Sequence, residues 1–210
     1  MTFWDQTLWG LFQRGGIVMW PLLLTSLVAL TVVFERIIFI VREKCSRKRD
    51  IIENILTDVE HGNIQQAIKQ GERCPDFVAR TLVYGLKHIE KGFSSALLKA
   101  ANQELKRFSQ GLTVLDTIIT LAPLLGLLGT VTGMIHAFGL LGSNELEAPS
   151  VITGGIAEAL IATAFGLAIA IISLIPFNYL HGRLEDARHE IEDASTHLEL
   201  LLRKPDRRLT

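Results

Sequence analysis

The sequence predicts an all-α fold, that of a polytopic membrane protein with three transmembrane helices, the second and third extended into the cytoplasm. Three observations carry this. The 210 residues are 49% hydrophobic with a mean hydropathy of +0.32, a balance suited to a bilayer rather than to soluble domains. Three stretches reach the ~20 apolar residues that cover a hydrocarbon core of ~30 Å at ~1.5 Å per residue. The basic residues fall in alternate segments between those stretches, as they do when Lys and Arg stay on the cytoplasmic side.

Residues 1–16, with Arg14 their only basic residue, are expected in the periplasm. The first span, 17–41, opens with 18 uncharged residues from Ile17 to Phe34 before Glu35 and Arg36. No basic segment precedes it, so it reads as a retained anchor rather than a cleaved leader. Segment 42–111 carries thirteen Lys and Arg and is assigned to the cytoplasm as helices punctuated by turns. Within it, "EHGNIQQAIKQGERCPDF" sets a Gly-Asn pair, a Gly and a Cys-Pro around one short helix. From Ser94 no strong breaker occurs before Pro123, since Gly111 alone costs a helix about 1 kcal/mol. One helix is therefore expected to rise from the cytoplasm into the second span, 112–141, which is interrupted only by Asp116 near its start and His136 near its end.

A short periplasmic loop without basic residues, 142–155, leads to the third span, 156–180, whose single charge is Glu158. The tail, 181–210, has six basic residues and sets Leu184, Ile191, Leu198 and Leu202 at helical spacing with charges between. It is expected to continue the third span inward, either packed on other helices or neighbouring subunits or presenting a solvated charged face. The N-terminus is thus periplasmic and the C-terminus cytoplasmic.

Composition argues against several functions. A net charge of −1 gives no reason to expect a nucleic-acid partner, because topology accounts for the basic residues. Cys45 and Cys74 lie on the cytoplasmic side, 29 residues apart, which fits reduced thiols rather than a metal framework. His181, His189 and His197 recur every eighth residue, too far apart for any two to share an ion within one helix. No nucleophile with a base, and no metal cluster, lies near either bilayer face, so neither an enzyme nor a cofactor is expected.

At 100° per residue both later spans divide in two. In the second, Ala122, Pro123, Gly126, Gly129, Thr130, Gly133 and Ala137 share an arc opposite Leu121, Leu124, Leu128, Val131, Ile135 and Phe138. In the third, Ala159, Ala162, Thr163, Gly166, Ala170 and Ser173 share an arc with Glu158 at its margin, while Leu160, Ile161, Phe165, Leu167, Ile171, Ile172 and Leu174 cover the rest. Small faces let helix backbones approach closely in lipid, which accounts for the glycines and alanines. It does not account for Glu158. A charge at the bilayer centre costs at least about 2.5–3.5 kcal/mol, so membrane carboxylates face a cavity or a partner and mark an ion route. The depth of Glu158 depends on where its helix begins. A start at Ile156 leaves it interfacial; a start at Pro149, with Glu147 on the side the helix dipole prefers, puts it about two and a half turns inside. The sequence favours the earlier start.

"APLLGLLGTVTGMIHAF" followed by "GGIAEALIATAFGLAIAIISLIPFNYL" closely resembles the paired second and third spans of the MotA/TolQ/ExbB proton-channel family. "GGIVMWPLLLTSLVALTVVFERIIFI", with Glu35-Arg36, looks like the first span of the ExbB branch. The resemblance covers roughly residues 15–181, the cytoplasmic segment matching only in length and helical character. It implies a homo-oligomeric ring, usually described as a pentamer, in the inner membrane of Gram-negative bacteria. The ring would enclose an ExbD-like single-span partner whose membrane aspartate carries the proton, with work passed through a TonB-like protein to outer-membrane transporters. The family's pore positions fall on Thr130 in "LLGTVTG" and on Glu158 and Thr163 in "AEALIATAFG". His136 is given no role. A hydroxyl both donates and accepts, which suits a water-linked proton path, whereas the plainer reading of each threonine is a bond to its own helix backbone. Glu35 and Arg36 are boundary charges that either snorkel to the headgroups or pair across a subunit boundary, with anchoring preferred. A TolQ-like subunit shares the three-span plan, and a passive scaffold is the remaining alternative; MotA-like stators have a further span that this chain lacks.

Overall fold

The computed structural model describes residues 8–139 and 148–203; expectations falling on the first seven residues, on 140–147 with Glu147, and on the last seven lie outside it. The regular elements are helices throughout: α1 Leu8–Arg14, α2 Met19–Cys45, α3 Arg49–Glu60, α4 Ile64–Glu72, α5 Phe77–Lys87, α6 Ile89–Ser109, α7 Leu112–Gly139 and α8 Ala148–Arg203. Three helical stretches among the described residues, within α2, α7 and α8, are long and apolar enough to cross a membrane, so the chain is an all-α, multi-pass membrane protein. Helix α1 has no counterpart in the sequence expectations.

The single helix expected from Ser94 into the second span is two helices, α6 and α7. Gln110 leaves helical geometry (φ −55°, ψ 136°) and Gly111 takes φ +78°. A lone glycine is a small cost in a helix, but it is also the residue that adopts a left-handed conformation without a Cβ clash, and the chain uses it that way. The turns expected around the short helix α4 are present, with Gly62 at φ +81° before it and Cys74-Pro75 after it.

The chain forms two compact units, one of residues up to Glu35 with Gly111–Asn178, the other of Arg36–Gln110 with the residues from Tyr179 onward; α2 and α8 contribute to both. In the first unit Val18, Met19 and Leu22, at the entry to α2, pack with Ala122 of α7 and with Ala162 and Ala170 of α8. Phe12 of α1 meets Trp20 edge-on at 5.6 Å between ring centroids. The small faces are the seam between α7 and α8. Ala122, Gly126, Gly129, Gly133 and Ala137 are buried on α7, and Gly155, Ala159, Ala162, Gly166, Ala170 and Ser173 on α8. A Cβ on Gly166 would stand 2.5 Å from the Ala122 carbonyl oxygen and 3.1 Å from the Gly126 Cα, so the two backbones touch. Burying oil against oil gives little drive in lipid, and this close contact takes its place.

The second unit has an ordinary apolar core. Ile55, Leu82 and Leu198 are fully buried, each contributing about 1.5–3 kcal/mol. Leu184, Ile191 and Leu198 of the tail are buried in this unit, so the tail's helical stripe is packed rather than solvated. Asp76, with no exposed surface, caps α5 by accepting from the Val78 N–H (2.9 Å), and also accepts from the Lys48 N–H (3.0 Å) and Arg47 Nη1 (3.1 Å). Arg47 in turn pairs with Glu190 of α8 and lies 4.7 Å from the Phe77 ring centroid.

Candidate functional site

Of the two possible starts for the third spanning helix, the backbone takes the earlier. Helix α8 is already formed at Ala148, so Glu158 lies nearly three turns inside it at ~3.6 residues per turn. Its side chain is half-buried in the first unit, and among the described residues its carboxylate makes no hydrogen bond or ion pair. It opens on a cleft of about 720 Å³ lined also by Leu11, Gln13, Arg14, Gly154, Leu160 and Ile161. On its other side lies Gly16, in the turn between α1 and α2. A Cβ on Gly16 would overlap Glu158 Oε1 and stand 2.8 Å from its Cδ.

The two threonines differ. Thr163 Oγ1 donates across the seam to the carbonyl of Gly126 at 2.9 Å, filling the gap that a glycine leaves on α7. Thr130 Oγ1 donates to the carbonyl of Leu127, in its own helix, at 2.7 Å. The plainer reading of a hydroxyl in a membrane helix thus describes Thr130, while Thr163 joins two helices. Both oxygens keep accepting capacity. Glu158 and Thr163, five residues apart, flank the buried stripe of α8 on opposite margins, about 140° apart at 100° per residue.

Arg36 is turned inward in the second unit. It is 4% exposed, and its Nη1 donates at 2.9 Å to the carbonyl of Arg107, in the last turn of α6 where carbonyls lack partners within the helix. Its guanidinium lies 5.0 Å from the Phe39 ring centroid. Glu35, next to it, is exposed, as is His136 on α7. Sequence reasoning missed Gly16. The Gly15-Gly16 pair ahead of an apolar run was the available signal, but it does not identify the residue that would approach. The charged groups of the second unit were also missed: Arg80 bonds Glu104 through Nε (3.1 Å) and Nη2 (2.8 Å), and Glu43 sits close by.

Comparison with known proteins places this site in context. A sequence model described as the MotA/TolQ/ExbB proton channel family matches residues 73–193, which include Thr130, Glu158 and Thr163. An ExbB-like biopolymer transport protein of Synechocystis is 37% identical over 206 residues, covering 92% of this chain and 78% of its own. The biopolymer transport protein ExbB of Neisseria gonorrhoeae is 40% identical over 79 residues, 38% of this chain and 36% of its own. The Tol-Pal system protein TolQ of Haemophilus influenzae is 38% identical over 96 residues, 46% of this chain and 42% of its own.

Proposed function

The chain belongs to the MotA/TolQ/ExbB proton channel family, and on that premise we propose that it is the ring-forming subunit of an inner-membrane proton-driven motor of the ExbB kind. Several copies surround an axis occupied by an ExbD-like single-span partner. The partner's membrane aspartate carries the proton, and the work passes through a TonB-like protein to transport at the outer membrane. The N-terminus faces the periplasm and the C-terminus the cytoplasm, from the thirteen and six basic residues that flank the spans on one side.

The observation that carries this reading is Glu158, an ionisable group held well inside an apolar helix, unpaired among the described residues and open to a cleft. Such groups in membrane helices mark ion routes. Glu158 borders the pore toward its outer half and tunes proton entry or partner contact. Thr130 and Thr163 also border the pore, Thr163 from the opposite margin of α8, through the accepting lone pairs their donated bonds leave free. A TolQ-like system remains the second reading, favoured only by the TolQ match over less than half of the chain.

Proton flux in proteoliposomes holding this chain and its single-span partner tests the assignment. Glu158→Gln is expected to lower it, with assembly unchanged. Wild-type flux in that variant would remove Glu158 from the pathway.

A further inference from the structure

We propose that Gly16 is a positioning residue for Glu158, the turn ahead of α2 fixing where the carboxylate stands at the mouth of its cleft. This rests on the reading of Glu158 as part of the proton path.

Gly16 sits at φ +73° in a turn tied at both ends, the Gly15 N–H donating to the Phe12 carbonyl (3.3 Å) and the Met19 N–H to the Gly16 carbonyl (3.2 Å). Met19 is 1% exposed in the core of the unit, and a Cβ on Gly15 would already stand 2.6 Å from its Cγ and Sδ, so the turn is packed closely against that core. The backbone at Glu158 is held as firmly. Its neighbour Ala159 is 3% exposed, and a Cβ on Gly133 of α7 would lie 3.2 Å from the Ala159 Cβ. Two fixed backbones meet at a carboxylate that rests on the bare Cα of Gly16. A side chain at position 16 is therefore accommodated by the free end of Glu158, which has the open cleft to move into. Residue 16, though it carries no chemistry, sets the position of a group that does.

A glycine kept only for its left-handed backbone would leave Glu158 indifferent to what replaces it. Two variants separate the cases. Gly16→Ala carries both the backbone strain and the Cβ, whereas Gly16→Asn carries the Cβ on a residue that accepts positive φ. Gly62→Ala is the control, at φ +81° with nothing within 4 Å of its Cβ. The readouts, on the complex with its partner, are the rate at which a hydrophobic carbodiimide modifies residue 158, followed by mass spectrometry, and proton flux.

Both variants at 16 are expected to change the reactivity of Glu158 several-fold and to lower flux measurably, because the carboxylate is displaced from where it borders the path. Gly62→Ala is expected to match wild type in both. In Glu158→Asp, whose carboxyl is withdrawn by one methylene to a position about the Cγ, which would still stand 3.2 Å from a Cβ at 16, the changes at 16 are expected to alter the reactivity of residue 158 less. Equal changes there would mean general loosening and would overturn the proposal. So would unchanged reactivity in both variants at 16, or failure of both to assemble while Gly62→Ala assembles. Changed reactivity together with wild-type flux in Glu158→Gln would support the positioning and remove Glu158 from the proton path, so the two failures are told apart.

Discussion

Inside a folded unit a carboxylate is stable when its oxygens find donors, and Asp76 and Glu43 show both outcomes. Asp76 receives two backbone N–H groups and a guanidinium. Glu43 Oε1 is buried without a hydrogen bond, 3.7 Å from Arg80 Nη2. Glu43 follows Val41, the end of the apolar run of α2, within the second unit, and burial, reinforced by Glu104 and Asp76 and opposed by Arg80 and Arg107, lifts its carboxyl above the ordinary glutamate range. The folded protein then binds a proton that the unfolded chain has released. The stability this confers is complete below the ordinary glutamate pKa and is lost as pH rises through the raised folded value. Thermal unfolding of the detergent-solubilised protein, followed from mildly acidic to neutral pH, is expected to show that decline in wild type and a flatter profile in Glu43→Gln. An equal slope in both would place the titration elsewhere. None of this is legible in "VREKC", where Glu43 is one acid in a basic run; its surroundings come from α5, the Asp76 that caps it, and α6, 33 and more residues away in sequence.

Between helices, the sequence is informative where periodicity and residue size coincide. The small residues of α7 and α8 share a face because 3.6 residues make a turn, and they are small because the partner backbone lies against them, so one pattern encodes both element and contact. Gly166→Ala is expected to destabilise by about 1–3 kcal/mol, since its Cβ would meet backbone rather than a movable side chain. Gly154→Ala, with nothing within 4 Å, is expected to be neutral or slightly stabilising. Comparable unfolding temperatures for the two would mean that the seam is looser than described. The break at Gln110 and Gly111 escaped notice for the converse reason, because one glycine in a helical pattern is compatible with continuation as well as with a left-handed turn. Helix α1 spans only seven residues, too few for periodicity to declare it. Arg36 read as an anchor because its position at the end of an apolar run allows snorkelling, and only the placement of the Arg107 carbonyl turns it inward.

Taken as a whole, one copy of the chain spends its small, mildly polar faces on itself. Leu124, Leu128 and Ile135 of α7 and Leu160, Leu167 and Ile171 of α8 remain exposed. Family membership and the three spanning stretches were readable from the order and composition of the apolar runs, and the match over residues 73–193 covers the later two. On the proposed reading, what several copies would enclose is not written in one sequence, because a pore between subunits would be lined by groups that each chain places at the margin of its own packing. Glu158 and Thr130 are such marginal groups, half-buried beside the seam. Whether Glu158 and Thr130 border a wet axis is read by labelling the assembled complex with a membrane-impermeant thiol reagent, in a Cys45→Ser, Cys74→Ser background. Glu158→Cys and Thr130→Cys are expected to react readily while Leu167→Cys and Ile171→Cys stay protected. Protection of all four alike would mean that no wet axis reaches Glu158 or Thr130.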